Sequence, residues 1–216
     1  MEEKNNNNNN NYKAFIVPIV AVAIFTLMIF GAGYAYFAAT INNSAATNIN
    51  LTLPEQGTTI TSSATACEMT VNAADMVQAQ NSTTAKATKN CTLSVTLSGL
   101  EGVACTYNVT LTSVPTTGQT PTTYAPTTGL GAGVKEFTGK LTVPEGATVQ
   151  NASGTETQIS TLAGKVLASG TITAPSSGTV TQTYTFEEKW YNANIDQGVH
   201  AGKKYQYKLS MTDVKC

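Results

Sequence analysis

Two patterns of hydrophobic and polar positions divide the chain. From Ala14 to Ala39 (AFIVPIVAVAIFTLMIFGAGYAYFAA) the residues are apolar or small, without one charged side chain. As a helix that run would measure ~39 Å, against a hydrocarbon core of roughly 30 Å. Pro18 falls in its first turns, where a helix tolerates it. Beyond Ala39 the period shortens to two. Cys91, Leu93, Val95 and Leu97 alternate with Thr92, Ser94 and Thr96, and after a turn at 98–102 the alternation resumes at Tyr107, Val109 and Leu111. That pairing predicts a β-hairpin. Further period-2 runs are Ile49-Leu51-Leu53, Phe137-Leu141-Val143, Val166-Ala168-Ile172, Val180-Tyr184-Phe186-Trp190 and Tyr205-Tyr207-Leu209-Met211. Thr and Ser fill most of the opposite positions, where β-branched side chains suit a solvated pleat. About eight or nine strands with one polar face each predict an all-β fold, an antiparallel β-sandwich or jelly roll. Residues 73–87 have room for a short helix.

Three segments follow. Residues 1–13 form an Asn-rich tail, with an uninterrupted Asn run from Asn5 to Asn11 that cannot pack a core and should be disordered. Residues 14–39 are a transmembrane helix or a signal peptide, and 40–216 an extracellular Thr-rich domain. Lys4 and Lys13 precede the hydrophobic run and no Lys follows it until Lys86, which places the tail in the cytoplasm. Small residues at Gly33 and Ala35 fit signal-peptidase cleavage between Ala35 and Tyr36. Retention fits as well, with Tyr34, Tyr36 and Phe37 at the membrane interface. Both routes leave the domain outside, at the cell membrane or secreted to the surface or matrix.

Charge narrows the partners. The net charge is −1, only 12% of residues are charged, and every basic residue is Lys. Neither nucleic acid nor an acidic lipid surface is implied. The four cysteines, Cys67, Cys91, Cys105 and Cys216, all follow the hydrophobic run and predict two disulfides in an oxidising compartment. In the predicted hairpin Cys105 faces Leu97 and Cys91 faces Leu111, so Cys91 and Cys105 are not partners. Two connectivities survive: Cys67–Cys91 with Cys105–Cys216, which this reading favours, or Cys67–Cys105 with Cys91–Cys216. Either ties down Cys216, useful where proteases act.

No catalytic constellation emerges, and no metal or cofactor site is expected. No C-x2-C or H-E-x-x-H spacing occurs, and the sole histidine, His200, is expected in a solvated loop. A Ser-His-Asp set built on His200 and Asp196 lacks a nucleophile elbow. Glu187 and Glu188, adjacent on a strand, point to opposite faces and read as surface charge. A Lys–Asn cross-link through Lys140, Lys165 or Lys189 would need a buried lysine and acid. Asn-x-Ser/Thr triplets at Asn42, Asn50, Asn81, Asn90, Asn108 and Asn151 matter only where the host glycosylates exported proteins. The aperiodic stretches 113–133, expected to be floppy, and 191–202 are the long loops.

The junction Gly31-Ala32-Gly33-Tyr34-Ala35-Tyr36-Phe37 resembles the end of the export signal in the TasA and camelysin family, surface and matrix proteins of Gram-positive bacteria with a SipW-type signal. Phe186 to Met211 (FEEKWYNANIDQGVHAGKKYQYKLSM) is similar to that family's closing strand, loop and final strand. The resemblance implies a jelly-roll-like domain that joins biofilm-matrix fibres by donating an N-terminal strand. Here the donor would be 36–53, with Ile41, Ile49, Leu51 and Leu53 filling a neighbour's groove. Some camelysin-like members are described as proteases, but no ligand set here supports that activity. The expected function is therefore non-enzymatic, a structural or adhesive surface or matrix protein. The alternative is a membrane-anchored module that recognises a partner through loops 113–133 and 191–202. Expected partners are the membrane through the N-terminal helix unless cleaved, further copies of the chain, or a surface protein or glycan.

Overall fold

The computed structural model describes residues 48–53, 57–73, 83–115 and 122–216. The chain separates into two compact units, 1–44 and 45–216, and every described residue belongs to the second. The 1–13 tail, the 14–39 run, the cleavage candidates Ala35 and Tyr36, and the donor candidate Ile41 lie outside the described residues. No helix among the described residues is long and apolar enough to cross a membrane.

Eleven strands are described: β1 (Asn48–Leu53), β2 (Thr58–Ala64), β3 (Ala66–Thr70), β4 (Ala87–Ser98), β5 (Ala104–Ser113), β6 (Phe137–Thr142), β7 (Ala147–Val149), β8 (Thr157–Gln158), β9 (Val166–Thr173), β10 (Thr179–Trp190) and β11 (Lys204–Lys215). They form a six-stranded sheet ordered β1-β2-β4-β10-β6-β8 and a five-stranded sheet ordered β3-β11-β5-β9-β7. All their pairings are antiparallel. The expected all-β sandwich is what forms. Of the span 73–87, residues 74–82 lie outside the described residues; 83–86 are not helical, and β4 begins at Ala87.

The predicted β4–β5 hairpin does not form. From β2 onward each successive strand lies in the opposite sheet, so 99–103 carries the chain across rather than back alongside. β4 pairs with β2 and β10, while β5 pairs with β11 and β9. Alternation specifies which side chains face inward; it carries no information on which strand is the neighbour. The inward residues were read correctly. Cys91, Leu93, Val95 and Leu97 on β4 and Tyr107, Val109 and Leu111 on β5 are all buried, now from opposite sheets. Each such Val or Leu contributes about 1.5–3 kcal/mol on burial.

Two strand glycines make room for the aromatics of this core. A Cβ on Gly139 of β6 would collide with the Phe186 ring, and one on Gly170 of β9 with the Tyr184 and Tyr107 phenols. The large rings are thereby accommodated by notches in neighbouring backbone. Outward rows carry hydroxyls: Thr61, Thr96 and Thr181 are cross-strand neighbours, with Thr96 and Thr181 hydroxyls 2.9 Å apart.

Cys67 bonds Cys91, and Cys105 bonds Cys216. Cys67 lies on β3 and Cys91 on β4, so the first bond staples one sheet to the other. The second joins β5 to the end of β11, its neighbour in the five-stranded sheet. Cys91 and Cys105 are not partners, as expected, although they lie on strands of different sheets and not in the hairpin from which that was argued. Lys140 and Lys165 are exposed and Lys189 pairs with Glu187 at 2.5 Å, so none is the buried lysine a Lys–Asn cross-link requires.

Candidate functional site

The chemically distinctive cluster is built around Glu136, which precedes β6. Its carbonyl accepts the Tyr191 amide at 2.7 Å, extending the β6–β10 ladder by one residue. The carboxylate is wholly buried and fully subscribed. Oε2 accepts the Tyr124 hydroxyl at 2.5 Å and the Thr127 amide at 2.9 Å. Oε1 accepts the Thr127 hydroxyl at 2.5 Å and Gln197 Nε2 at 2.9 Å. Burial by itself raises a carboxyl pKa, but the hydrogen bonds from Thr127, Tyr124 and Gln197 outweigh it, and Glu136 is held below its ordinary value. It is an anion in the interior of the protein.

His200 continues the cluster. It closes a short 3-10 turn, Gly198–His200, whose first amide is capped by Asp196 Oδ1 at 2.8 Å. Its Nε2 is 3.0 Å from the Thr127 hydroxyl and its Nδ1 2.6 Å from the Tyr205 hydroxyl. The single Thr127 proton is committed to Glu136, so Thr127 must accept from His200 Nε2–H, and His200 Nδ1 must accept from Tyr205. Desolvation lowers the His200 pKa, opposed by the Glu136 charge and aided by Lys203. His200 is therefore neutral, and its 3.7 Å approach to Glu136 is no ion pair. The hydrogen bonds run one way, from Tyr205 through His200 and Thr127 to Glu136.

Aromatic rings close the cluster off. Tyr124 packs edge-on against Phe137, Trp190 and Tyr205, and its ring lies 5.4 Å from that of His200. With Tyr124 and His200 both almost fully buried, no substrate reaches these groups without opening the loops. The arrangement fixes structure. It fastens 122–133, through Tyr124 and Thr127, to 191–202, through Gln197 and His200, using one carboxylate at the root of β6. Gln197 also donates to the Tyr191 carbonyl at 3.1 Å and accepts the Ala193 amide at 2.9 Å, bracing the second loop against itself.

Several expectations need correction. His200 is a buried partner of Tyr205 and Thr127, not a solvated loop residue, because three elements converge over it. Asp196, its supposed triad partner, caps a backbone amide instead. Loop 113–133 is not floppy across its described part, since 122–127 is anchored at Tyr124 and Thr127. Glu188 is not surface charge. It lies on the inner face of β10 between Phe186 and Trp190, wholly buried, with neither oxygen hydrogen-bonded, and desolvation raises its pKa well above the usual carboxylate value. Glu187 does point outward, to Lys189.

The other site residues fall as follows. Ile49, Leu51 and Leu53 are on β1, which among the described residues is an edge strand of the six-stranded sheet paired with β2 alone. No group of three His, Cys, Asp or Glu among the described residues is arranged to hold a metal ion. Glu136, Tyr124, Thr127 and Gln197 were missed in the sequence. Nothing in Val134-Lys135-Glu136 distinguishes a buried carboxylate from an ordinary strand-entry charge. No family model, no curated protein and no solved structure matches this chain.

Proposed function

We propose that the chain is a non-enzymatic cell-surface or extracellular-matrix protein with a structural or adhesive task. The observation that carries this reading is the cross-sheet Cys67–Cys91 bond, with a second cystine at the end of β11, in a sandwich whose outer rows are hydroxyls. Covalent staples of this kind belong to oxidising compartments. The uncharged 14–39 run supplies the route across a membrane.

Assembly into fibres is the finer form of the proposal. Among the described residues β1 is a sheet-edge strand with one partner, the type of element that strand addition exchanges between copies. The likeness of 31–37 and 186–211 to TasA-like proteins points the same way. A second reading, an anchored binding module, draws on a different observation: Glu136 locks 122–133 and 191–202 into one rigid end of the sandwich. Preorganised loops on a rigid scaffold are what recognition uses.

Mass spectrometry of the unreduced mature protein, with electron microscopy, tests the pair. A chain beginning at Tyr36 and found in polymers supports fibres. An intact N-terminus in the membrane fraction, with monomers, supports the anchored module. Four reduced, reactive thiols in the cytosol would refute both.

A further inference from the structure

A third feature lies on the outer face of the five-stranded sheet, away from Glu136. Thr212 stands opposite Asn108 and Lys215 opposite Thr106, so β11 takes three steps where β5 takes two. The extra residue is absorbed at Asp213, whose φ of 52° is left-handed, a conformation Asp tolerates better than most residues. Asp213 and Lys215 then line a groove of about 300 Å³, together with Thr148 of β7 and Ser169 and Thr171 of β9. That volume is at the small end of ligand sites and suits one compact molecule.

The carboxylate in this groove is held from behind. Gln150 Nε2 donates to Ser169 Oγ at 2.5 Å, Ser169 Oγ donates to Asn108 Oδ1 at 2.9 Å, and Asn108 Nδ2 donates to Asp213 Oδ2 at 3.0 Å. The chain crosses from the end of β7 through β9 and β5 to β11 and ends on an acceptor. Asn108 spends its amide here, although it heads an Asn-x-Thr triplet. Asp213 Oδ1, Lys215 Nζ and the Thr148 and Thr171 hydroxyls have no hydrogen-bond partner among the described residues. They are the groups left to meet a ligand.

Their chemistry selects a class. One carboxylate with an ammonium two residues away gives no net charge, which disfavours a divalent cation. No Arg exists in the chain to clamp a phosphate. The aromatic residue in the lining, Tyr107, is buried and offers no open ring face to a flat or greasy ligand. A carboxylate held in place by Asn108, an ammonium and hydroxyls suit paired hydroxyl groups, donating to the first and accepting from the others. We infer that this groove binds a neutral polyhydroxylated ligand, one saccharide unit of a surface glycan. The site stands on its own geometry and rests on the adhesive reading only for the source of the glycan. A single unit held by a few hydrogen bonds binds weakly, and adhesion follows from many copies acting together.

The test is saturation-transfer NMR on the full-length oxidised chain in a sugar-free detergent, with glucose, galactose, mannose and N-acetylglucosamine as probes. Saturable transfer to at least one sugar is expected, with dissociation constants in the millimolar range. Asp213→Gly keeps the left-handed backbone while deleting the carboxylate, and should weaken binding about tenfold or more. Lys215→Met and Thr171→Val, both outward-facing changes, should weaken it less and serve should Asp213→Gly misfold. No transfer to any of the four sugars, or transfer unaltered by all three variants, overturns the proposal. Adhesion to isolated cell envelopes, measured alongside, separates the two ideas. Equal adhesion by wild type and Asp213→Gly would leave the adhesive reading standing and remove the groove from it.

Discussion

Replacing Glu136 with Gln is the sharpest probe of the buried cluster, because shape is preserved and hydrogen-bond polarity is not. Each carboxylate oxygen accepts two donors: Tyr124 and the Thr127 amide at Oε2, the Thr127 hydroxyl and Gln197 at Oε1. A Gln side chain offers one carbonyl and one NH2, so in either orientation two donors confront a third donor. Two charge-assisted hydrogen bonds are lost, each worth about 1.5–3 kcal/mol net, so the change should destabilise by about 3–6 kcal/mol. That is a large part of the 5–15 kcal/mol by which a typical domain is stable. Urea unfolding of the oxidised protein, followed by Trp190 fluorescence, measures it through the midpoint at constant slope. Thr127→Val removes the link to His200 and one donor to Glu136, so it should cost less, and the double variant should cost less than the sum. A Glu136→Gln midpoint corresponding to less than about 1 kcal/mol would show that the carboxylate is not what joins the loops.

Glu188→Leu should stabilise the protein by about 1–3 kcal/mol at neutral pH, because it removes a buried polar group without partners. The Glu188 pKa is raised in the fold, so its penalty is smallest below 4.5, the unfolded value, and grows as pH rises toward the folded one. The Leu variant's advantage should therefore shrink on acidification; an advantage independent of pH would contradict the assignment. His200 and Glu136 act in the opposite sense, since both pKa values are lowered. Stability from His200 should be lost as pH falls below 6.5 and that from Glu136 as it falls below 4.5, readable as shifts in thermal midpoint absent from His200→Gln and Glu136→Gln. Removing the Cys67–Cys91 bond by a double Ala substitution opens a separation of 24 residues and should cost about 3–4 kcal/mol in the chain-entropy model, seen in calorimetry. Gly139→Ala should cost about 1–3 kcal/mol by driving a methyl into the Phe186 ring, and Phe186→Leu should recover part of that loss.

The sequence by itself determined which side chains turn inward. Period-2 alternation on β4, β5, β10 and β11 is a local property of the extended backbone, and the apolar residues it marks there are buried apart from the half-buried Val180. It also supplied the cysteines that cross-link the sandwich and the Thr-lined outer rows. Strand partnership was decided by the tertiary structure, because a run such as 91–97 pairs equally well with any antiparallel neighbour until the connections and the opposing sheet select one. The same holds for the polar interior. Tyr124, Thr127, Glu136, Gln197 and His200 come from separate loops and strand ends, and a carboxylate becomes a buried anion only when donors distant in sequence converge on it. Glu188 shows the converse. It obeys the alternation of β10 faithfully, and its side chain is carried inward because strand geometry sets the face a residue takes regardless of its polarity.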